Sequence, residues 1–307
     1  MSKSKKVKYP VATFLALMLA EVLWGINTPV IKLGLHSVPL PVYLAVTLLG
    51  AAILIVPLAK KHWQPMSRQD YALLIVASLI GITLGNVVLL MGLKRVLALN
   101  ASIINLFKPM ILLLLSVEFL KERFGWRTFW GILIAFAGAA VLIGQPWQSG
   151  SNNESIGILL IILAAFCDVI ATIIIKPIVS RSNCYQVTTL HLFIGAAPIA
   201  IYALSYLPSV SLKTIGRSGL IAIIFNIIAI AFANALFYFG LKYRQVQNTG
   251  IFQYVNPVAT FISAWIILGE VPNERLIAGS ILIVIGIYFA EKNAFHKLKL
   301  VGLRLVR

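Results

Sequence analysis

The stretch NVVLLMGLKRVLALNASIINLFKP (Asn86–Pro109) is answered by NALFYFGLKYRQVQNTGIFQYVNP (Asn234–Pro257). Asn86, Gly92-Leu93-Lys94, Asn100 and Pro109 recur as Asn234, Gly240-Leu241-Lys242, Asn248 and Pro257, each 148 residues further on, as the step from 86 to 234 shows. Outward from there, Glu122, Gly131 and Gly138 recur as Glu270, Gly279 and Gly286 in the same register. A register held without a gap from residue 86 to residue 138 is hard to reach by chance. The second half of the chain therefore repeats the first.

Ten apolar runs are long enough to cross a bilayer, whose core of about 30 Å needs about 20 helical residues. They are 11–34, 40–59, 71–92, 97–119, 126–145, 156–179, 186–206, 218–240, 247–269 and 275–291. The chain is 60% apolar and only 11% charged, with mean hydropathy +0.94; soluble domains carry roughly 25% charged residues. The fold class is all-α integral membrane. Each half holds five spans. An odd repeat enters the membrane from opposite sides, so the ten helices form two inverted five-helix repeats. That architecture belongs to alternating-access carriers, with the substrate site at the midplane between the halves. The first repeat occupies 1–145, a linker 146–155, the second repeat 156–291, and a basic tail 292–307.

The net charge of +17 invites a nucleic-acid reading, but its placement argues otherwise. Eighteen of the 26 Lys and Arg residues fall at the amino terminus, in the linkers after spans 2, 4, 6 and 8, and in the tail. Five (Lys94, Arg95, Lys213, Arg217 and Arg275) fall on the opposite side. This is the positive-inside bias, with both termini cytoplasmic in a cell inner membrane. The excess marks topology and contact with anionic membrane lipid, and no nucleic-acid partner is expected. The amino-terminal apolar run continues past Trp24 to about Leu35 and is read as an uncleaved helix. Cys167 and Cys184 give no disulfide framework.

No metalloprotease, serine-hydrolase or phosphate-loop motif is present, and the four histidines are scattered. His191 lies within span 7 and reads as a satisfied structural histidine rather than a proton relay. The protein is expected to be no enzyme and to hold no cofactor. Without a nucleotide site, active transport must draw on an ion gradient or on the substrate's own.

The motifs resemble the drug/metabolite transporter superfamily, specifically its ten-helix EamA-type members. The resemblance rests on Leu23-Trp24-Gly25-Ile26-Asn27 with Lys32-Leu33-Gly34, on Asn248 to Pro257, on Leu268-Gly269-Glu270, and on Gly279 to Gly286 with their first-half matches. It covers about 12–291. Two places depart from the pattern: Lys108 precedes Pro109 where an apolar or small polar residue is usual, and Phe166-Cys167-Asp168 stands where a Trp-Gly pair would match the first half. The resemblance implies a carrier whose spans 1, 3, 4, 6, 8 and 9 line the central cavity, and it leaves the substrate open.

A charge at a helix centre costs about 2.5–3.5 kcal/mol on insertion scales, so such residues are functional or paired. Six lie within spans: Glu21, Lys32, Lys108, Glu118, Asp168 and Lys176. Lys32, Glu118 and Lys176 are close enough to span ends to snorkel. Glu21, Lys108 and Asp168 are central, and either line the pathway or form a buried structural ion pair. Glu21, Thr28 and Lys32 share a face of span 1 with Trp24 beside it, and Thr249, Gln253, Asn256 and Thr260 share a face of span 9. Each stripe is a substrate surface or polar glue between helices. Pro109 and Pro257 break spans 4 and 9 at matching places. The candidate substrate-binding set is Glu21, Trp24, Asn86, Lys108, Asp168, Asn234, Gln253 and Asn256.

Two deep acids, one lysine and several amides suit a zwitterion or amine better than a phosphate, which would want several deep cations. The expected partner is a small-molecule substrate such as an amino acid, exported by alternating access. Proton coupling is expected through Glu21, since intramembrane carboxylates serve as proton relays. The alternative is a translocator of lipid-linked substrates, which Lys32, Lys94 and Arg95 would suit, or a membrane protein that moves no soluble metabolite.

The charge asymmetry makes a direct prediction. A reporter active only outside the cytoplasm, fused after Arg307, should stay silent, and a signal from it would reverse the orientation.

Overall fold

The computed structural model describes residues 9–35, 38–93, 95, 107–143, 152–209, 212–268 and 274–290. Lys94, Asn100, Glu270, residues 146–151 and the tail 292–307 lie outside these, as do the side chains of Thr28 and Lys32. All regular structure among the described residues is helical. Lipid leaves few other choices, because every backbone N–H and C=O in the hydrocarbon needs a partner within the chain.

The first half holds α1 (Pro10–Leu35), α2 (Leu40–Lys61), α3 (Arg68–Ser78), α4 (Gly85–Leu93), α5 (Lys108–Leu120) and α6 (Trp126–Ile143). A π turn, Leu79–Leu84, joins α3 to α4 within one span. The second half holds α7 (Asn152–Arg181), α8 (Cys184–Ala203), α9 (Leu212–Tyr243), α10 (Val246–Gly250), α11 (Val255–Leu268) and α12 (Glu274–Ala290). A 3-10 turn, Ile251–Tyr254, joins α10 to α11. Among the described residues, seven stretches are long and apolar enough to cross a membrane, Trp126–Val141 and Ile277–Ala290 are shorter apolar helices, and α5 completes the ten. Each coincides with a span expected from sequence.

Local chemistry starts the helices on the face where Tyr9 and Ala290 lie. The Ser67 hydroxyl accepts from the Asp70 amide at 3.1 Å, and the Asn183 side chain accepts from the Tyr185 amide at 2.8 Å. Both are N-caps that satisfy otherwise orphaned donors. Asn183 therefore makes Cys184 the first residue of α8, buried in the core, rather than a linker residue as the spacing suggested.

The helix pairings obey a pseudo-two-fold relation. α1 packs on α9 and α11, and correspondingly α7 packs on the α3–α4 span and on α5. α2 packs on α9, as α8 packs on α3 and the π turn. The pairs α2–α8 and α6–α12 map onto themselves, and α5 also packs on α10. One hydrogen bond repeats with every residue changed. Ser78 Oγ lies 3.0 Å from His191 Nδ1, and Asn226 Nδ2 donates to the Tyr43 hydroxyl at 3.1 Å. Ser78 and Asn226 are repeat mates, and so are Tyr43 and His191.

The α6–α12 seam shows the relation at atomic scale. A Cβ on Gly131 would stand 2.7 Å from the Gly286 carbonyl oxygen, and one on Gly286 would stand 2.6 Å from the Gly131 oxygen. A Cβ on Gly138 would meet the Gly279 oxygen at 2.8 Å. Since Gly131 mates with Gly279 and Gly138 with Gly286, the two contacts are images of each other. Small residues let membrane helices approach closely, where packing rather than hydrophobicity holds them together. Gly131→Ala and Gly286→Ala should each cost about 1–3 kcal/mol by overpacking against backbone. Thermal unfolding of the detergent-purified protein reads this as a lowered midpoint, and an unchanged midpoint in both would disprove the seam.

Candidate substrate cavity

Glu21, Lys108 and Asp168 reach a common depth from three helices. They stand eleven, twelve and thirteen residues from Pro10, Leu120 and Arg181, which end their helices on one face. At about 1.5 Å per residue this is roughly 16–20 Å, near the bilayer middle. All three line one cavity of about 460 Å³, a size that holds a small metabolite.

α1 contributes Glu21 and Trp24. The α3–α4 span brings Gly81, Gly85, Asn86 and Leu89; Gly81 lies within the π turn. α5 supplies Lys108 and Pro109 at its start, and α7 supplies Asp168 with Ala164 and Ala165. The 3-10 turn before α11 places Gln253 and Tyr254, and α11 adds Asn256, Pro257, Thr260 and Phe261. Seven of the eight candidate residues thus line one cavity. Asn234 does not, and no residue of α9 is among the lining. The resemblance led one to expect span 8 there. Thr249, from the expected stripe of span 9, is buried beneath the cavity and bonds the Val246 carbonyl at 2.7 Å.

The charges are unequally satisfied. Lys108 Nζ pairs with Asp168 Oδ2 at 3.1 Å, linking one helix of each half. Lys108 thus contacts Asp168 rather than Glu21. Glu21 is 2% exposed, and its Oε1 has no hydrogen-bond partner among the described residues. Gln253 Oε1 is a second buried acceptor in the same condition. Thr260 Oγ1 donates to the Gly25 carbonyl at 3.2 Å, with Asn256 Oδ1 at 3.5 Å. The Trp24 ring packs 5.5 Å from Phe237. An unpaired buried acceptor costs about 1–3 kcal/mol. The Lys108–Asp168 pair offers a cation and an anion side by side.

Beneath the cavity the terminal face is closed. Leu17, Leu112, Leu113 and Phe252 are fully buried there, with Tyr254 as the cavity floor. Polar side chains clamp the helix ends around them. Arg244 donates to Thr13 Oγ1 at 2.8 Å and to the Pro10 carbonyl at 3.0 Å, and its guanidinium lies over Phe252 at 5.6 Å. Glu122 accepts from the Val246 and Gln247 amides at 2.8 and 3.3 Å, capping α10. Lys242 donates to the Ser182 carbonyl at 2.7 Å. Lys176 donates to the carbonyls of Leu241 and Arg244, closing the end of α9. This corrects the snorkelling reading of Lys176: its chain turns inward to a helix terminus. Position in the sequence carried no sign of this, because the partners lie 65 and 68 residues away. Glu118 does lie at the interface, exposed and 3.5 Å from Lys121. His191 is satisfied by Ser78.

The fold and sequence have known counterparts. A solved crystal structure superposes with a TM-score of 0.79 at 20% identity, over 93% of this chain and 98% of its own. An "Uncharacterized transporter" of Archaeoglobus fulgidus is 26% identical over 91% of this chain and 98% of its own length. A "Probable amino-acid metabolite efflux pump" of Salmonella typhimurium is 28% identical over 90% of this chain and 93% of its own. The "Pseudopaline exporter CntI" of Pseudomonas aeruginosa is 24% identical over 76% and 79%. The model of the EamA-like transporter family matches twice, over residues 12–144 and 155–291, once for each five-helix half. With both repeats matched and a midplane cavity between them, the chain is a multi-pass membrane protein that belongs to the EamA-like transporter family of the drug/metabolite transporter superfamily.

Proposed function

We propose that this protein is a secondary transporter that exports small amine-bearing metabolites, such as amino acids and related zwitterions, by alternating access. The observation that carries the reading is Glu21, a buried carboxylate with an unpartnered oxygen in the wall of a midplane cavity. A substrate ammonium supplies the donors that Glu21 and Gln253 lack. A substrate carboxylate takes Lys108 by displacing Asp168. The amides of Asn86 and Asn256 and the Trp24 ring complete the surface. Relatives bearing the names of an amino-acid metabolite efflux pump and a pseudopaline exporter support export of this class.

The same carboxylate serves coupling. Glu21 holds either a proton or the substrate ammonium, so loading one expels the other and a proton gradient drives efflux. The groups that face this exchange are Lys108 and Asp168, already paired with each other. The face where Tyr9 and Ala290 lie is taken to be cytoplasmic, in the inner membrane.

Two experiments test this in proteoliposomes. Lys108→Ala should lower transport of an amino-acid mixture by at least about tenfold, equivalent to 1.4 kcal/mol, while Lys108→Arg retains most of it. Full activity in a folded Lys108→Ala protein would remove Lys108 from the substrate path. Glu21→Gln should abolish accumulation driven by a pH gradient and leave counterflow partly intact. A Glu21→Gln carrier that still concentrates substrate with an unchanged pH response would exclude Glu21 as the coupling group.

A further inference from the structure

The turn between α5 and α6 carries an outer surface that transport does not use. Trp126 and Trp130 stand about one helical turn apart on α6 and are 67% and 51% exposed, and Phe119 at the end of α5 is 68% exposed. The rings nearby form one edge-to-face cluster. Phe124 packs on Trp126 at 5.0 Å, and Phe129 packs on Trp126 at 6.0 Å and on Trp130 at 5.6 Å. Lys121, Arg123 and Arg127 are exposed in the same segment. α6 starts here with no acidic residue in its first turn, so the positive end of its dipole adds to the cations. Two acids share the segment. Glu122 turns inward to the Val246 and Gln247 amides, and Glu118 is met by Lys121 at 3.5 Å. Arg123 and Arg127 therefore give the surface its sign.

This surface is fixed from within. The buried Gln247 side chain accepts from the Gly125 amide at 3.0 Å and donates to the Arg123 carbonyl at 2.7 Å. Thr128 donates to Asn248 Oδ1 at 2.7 Å. Rings and cations are thus set in place beforehand, and less ordering entropy is lost when a ligand binds. The fold itself does not ask for them, as the repeat shows. Trp126 and Trp130 are answered by Glu274 and Ala278, and Lys121 and Arg123 by Gly269 and Val271. Lys121 holds a left-handed conformation, φ 52°, which favours glycine; its mate in the sequence is glycine. A long cation is kept where the backbone favours no side chain.

Tryptophan and cations at the ends of membrane helices lie at the depth of the lipid headgroups. A guanidinium takes a phosphate through paired, charge-assisted hydrogen bonds, and exposed rings give a lipid chain an apolar wall. We propose that the α5–α6 corner is a binding site for an anionic phospholipid, with its phosphate on Arg123 and Arg127 and an acyl chain along Trp126, Trp130 and Phe119. A zwitterionic headgroup carries its own cation, which the two arginines repel, so the site selects lipids of net negative charge. The basic residues elsewhere on this face mark orientation. This corner differs from them by joining cations to a fixed aromatic surface.

Thermal unfolding of the full chain in detergent, with lipid added, tests this. Phosphatidylglycerol should raise the midpoint, since a ligand of the folded state stabilises it by mass action, and phosphatidylcholine with the same acyl chains should not. A basic residue near an anionic surface contributes roughly fivefold in binding. Arg123→Gln together with Arg127→Gln should therefore raise the phosphatidylglycerol concentration that gives half the shift by at least about tenfold. Lys60→Gln together with Lys61→Gln removes the same charge from the end of α2 on the same face and should leave that concentration nearly unchanged. The midpoint without lipid reports folding, and Arg127→Gln alone keeps the test usable if the paired change fails to fold. Equal loss in both paired variants would reduce the effect to general surface charge and overturn the site. Glycerol phosphate, the headgroup without chains, should give no shift at the same concentration; an equal shift would make the corner a soluble-anion site and overturn the lipid. A lipid-free mass of two chains that Trp126→Ala returns to one would assign the surface to a second copy and overturn it too. The readout needs no substrate, so the substrate class stands or falls separately.

Discussion

A bilayer supplies no water to a charge placed at its centre, and this structure is organised around three such charges. Each costs about 2.5–3.5 kcal/mol at a helix middle on insertion scales. Glu21, Lys108 and Asp168 lie on three helices, yet they reach one depth and one cavity. Sharing a cavity is what makes them tolerable. The Lys108–Asp168 pair ties a helix of the first half to one of the second. Glu21 Oε1 is left without a hydrogen-bond partner among the described residues. The same solvent constraint thus bears on the packing of α1, α5 and α7.

Symmetry in this chain is a matter of position before identity. The Ser78–His191 and Asn226–Tyr43 bonds occupy equivalent places with four different residues. The geometry needs a hydrogen bond between those helices at that depth, and several donor–acceptor pairs supply it. Glycine is different. Where the α6 and α12 backbones touch, a Cβ on Gly131, Gly138 or Gly286 would meet a backbone oxygen of the facing helix, and all three positions are glycine in both repeats. Departures from symmetry then become informative. The π turn Leu79–Leu84 stands in one span, while the matching residues 227–232 of the other stay α-helical.

The closed face is held by backbone recognition. Glu122 meets amides at a helix start, and Lys176 and Lys242 meet carbonyls at helix ends. These are the places where charge complements the helix dipole, worth about 0.3–1 kcal/mol when exposed and up to about 2 when partly buried. Several such contacts surround the fully buried Leu17, Leu112, Leu113 and Phe252.

Much of this was legible in the residue order. The gap-free 148-residue offset, with five apolar runs per half, determined ten helices and an inverted pair of repeats, because only helices of that length satisfy their own backbones in lipid. The cost of intramembrane charge singled out Glu21, Lys108 and Asp168, and seven of eight candidate residues line the cavity. Asn234 shows where that reasoning stops. Its sequence context matches that of Asn86, yet Asn86 lines the cavity and Asn234 does not; a π turn precedes Asn86, and residues 227–232 before Asn234 stay α-helical. Lys176 and Arg244 likewise looked like boundary charges and proved to be clamps, through partners far along the chain. Periodicity and insertion cost act within a helix, so the sequence by itself determined the helices and their order. Rotation of one helix against another, and the carbonyl a long side chain reaches, depend on the whole packed assembly, so only the tertiary structure decided them.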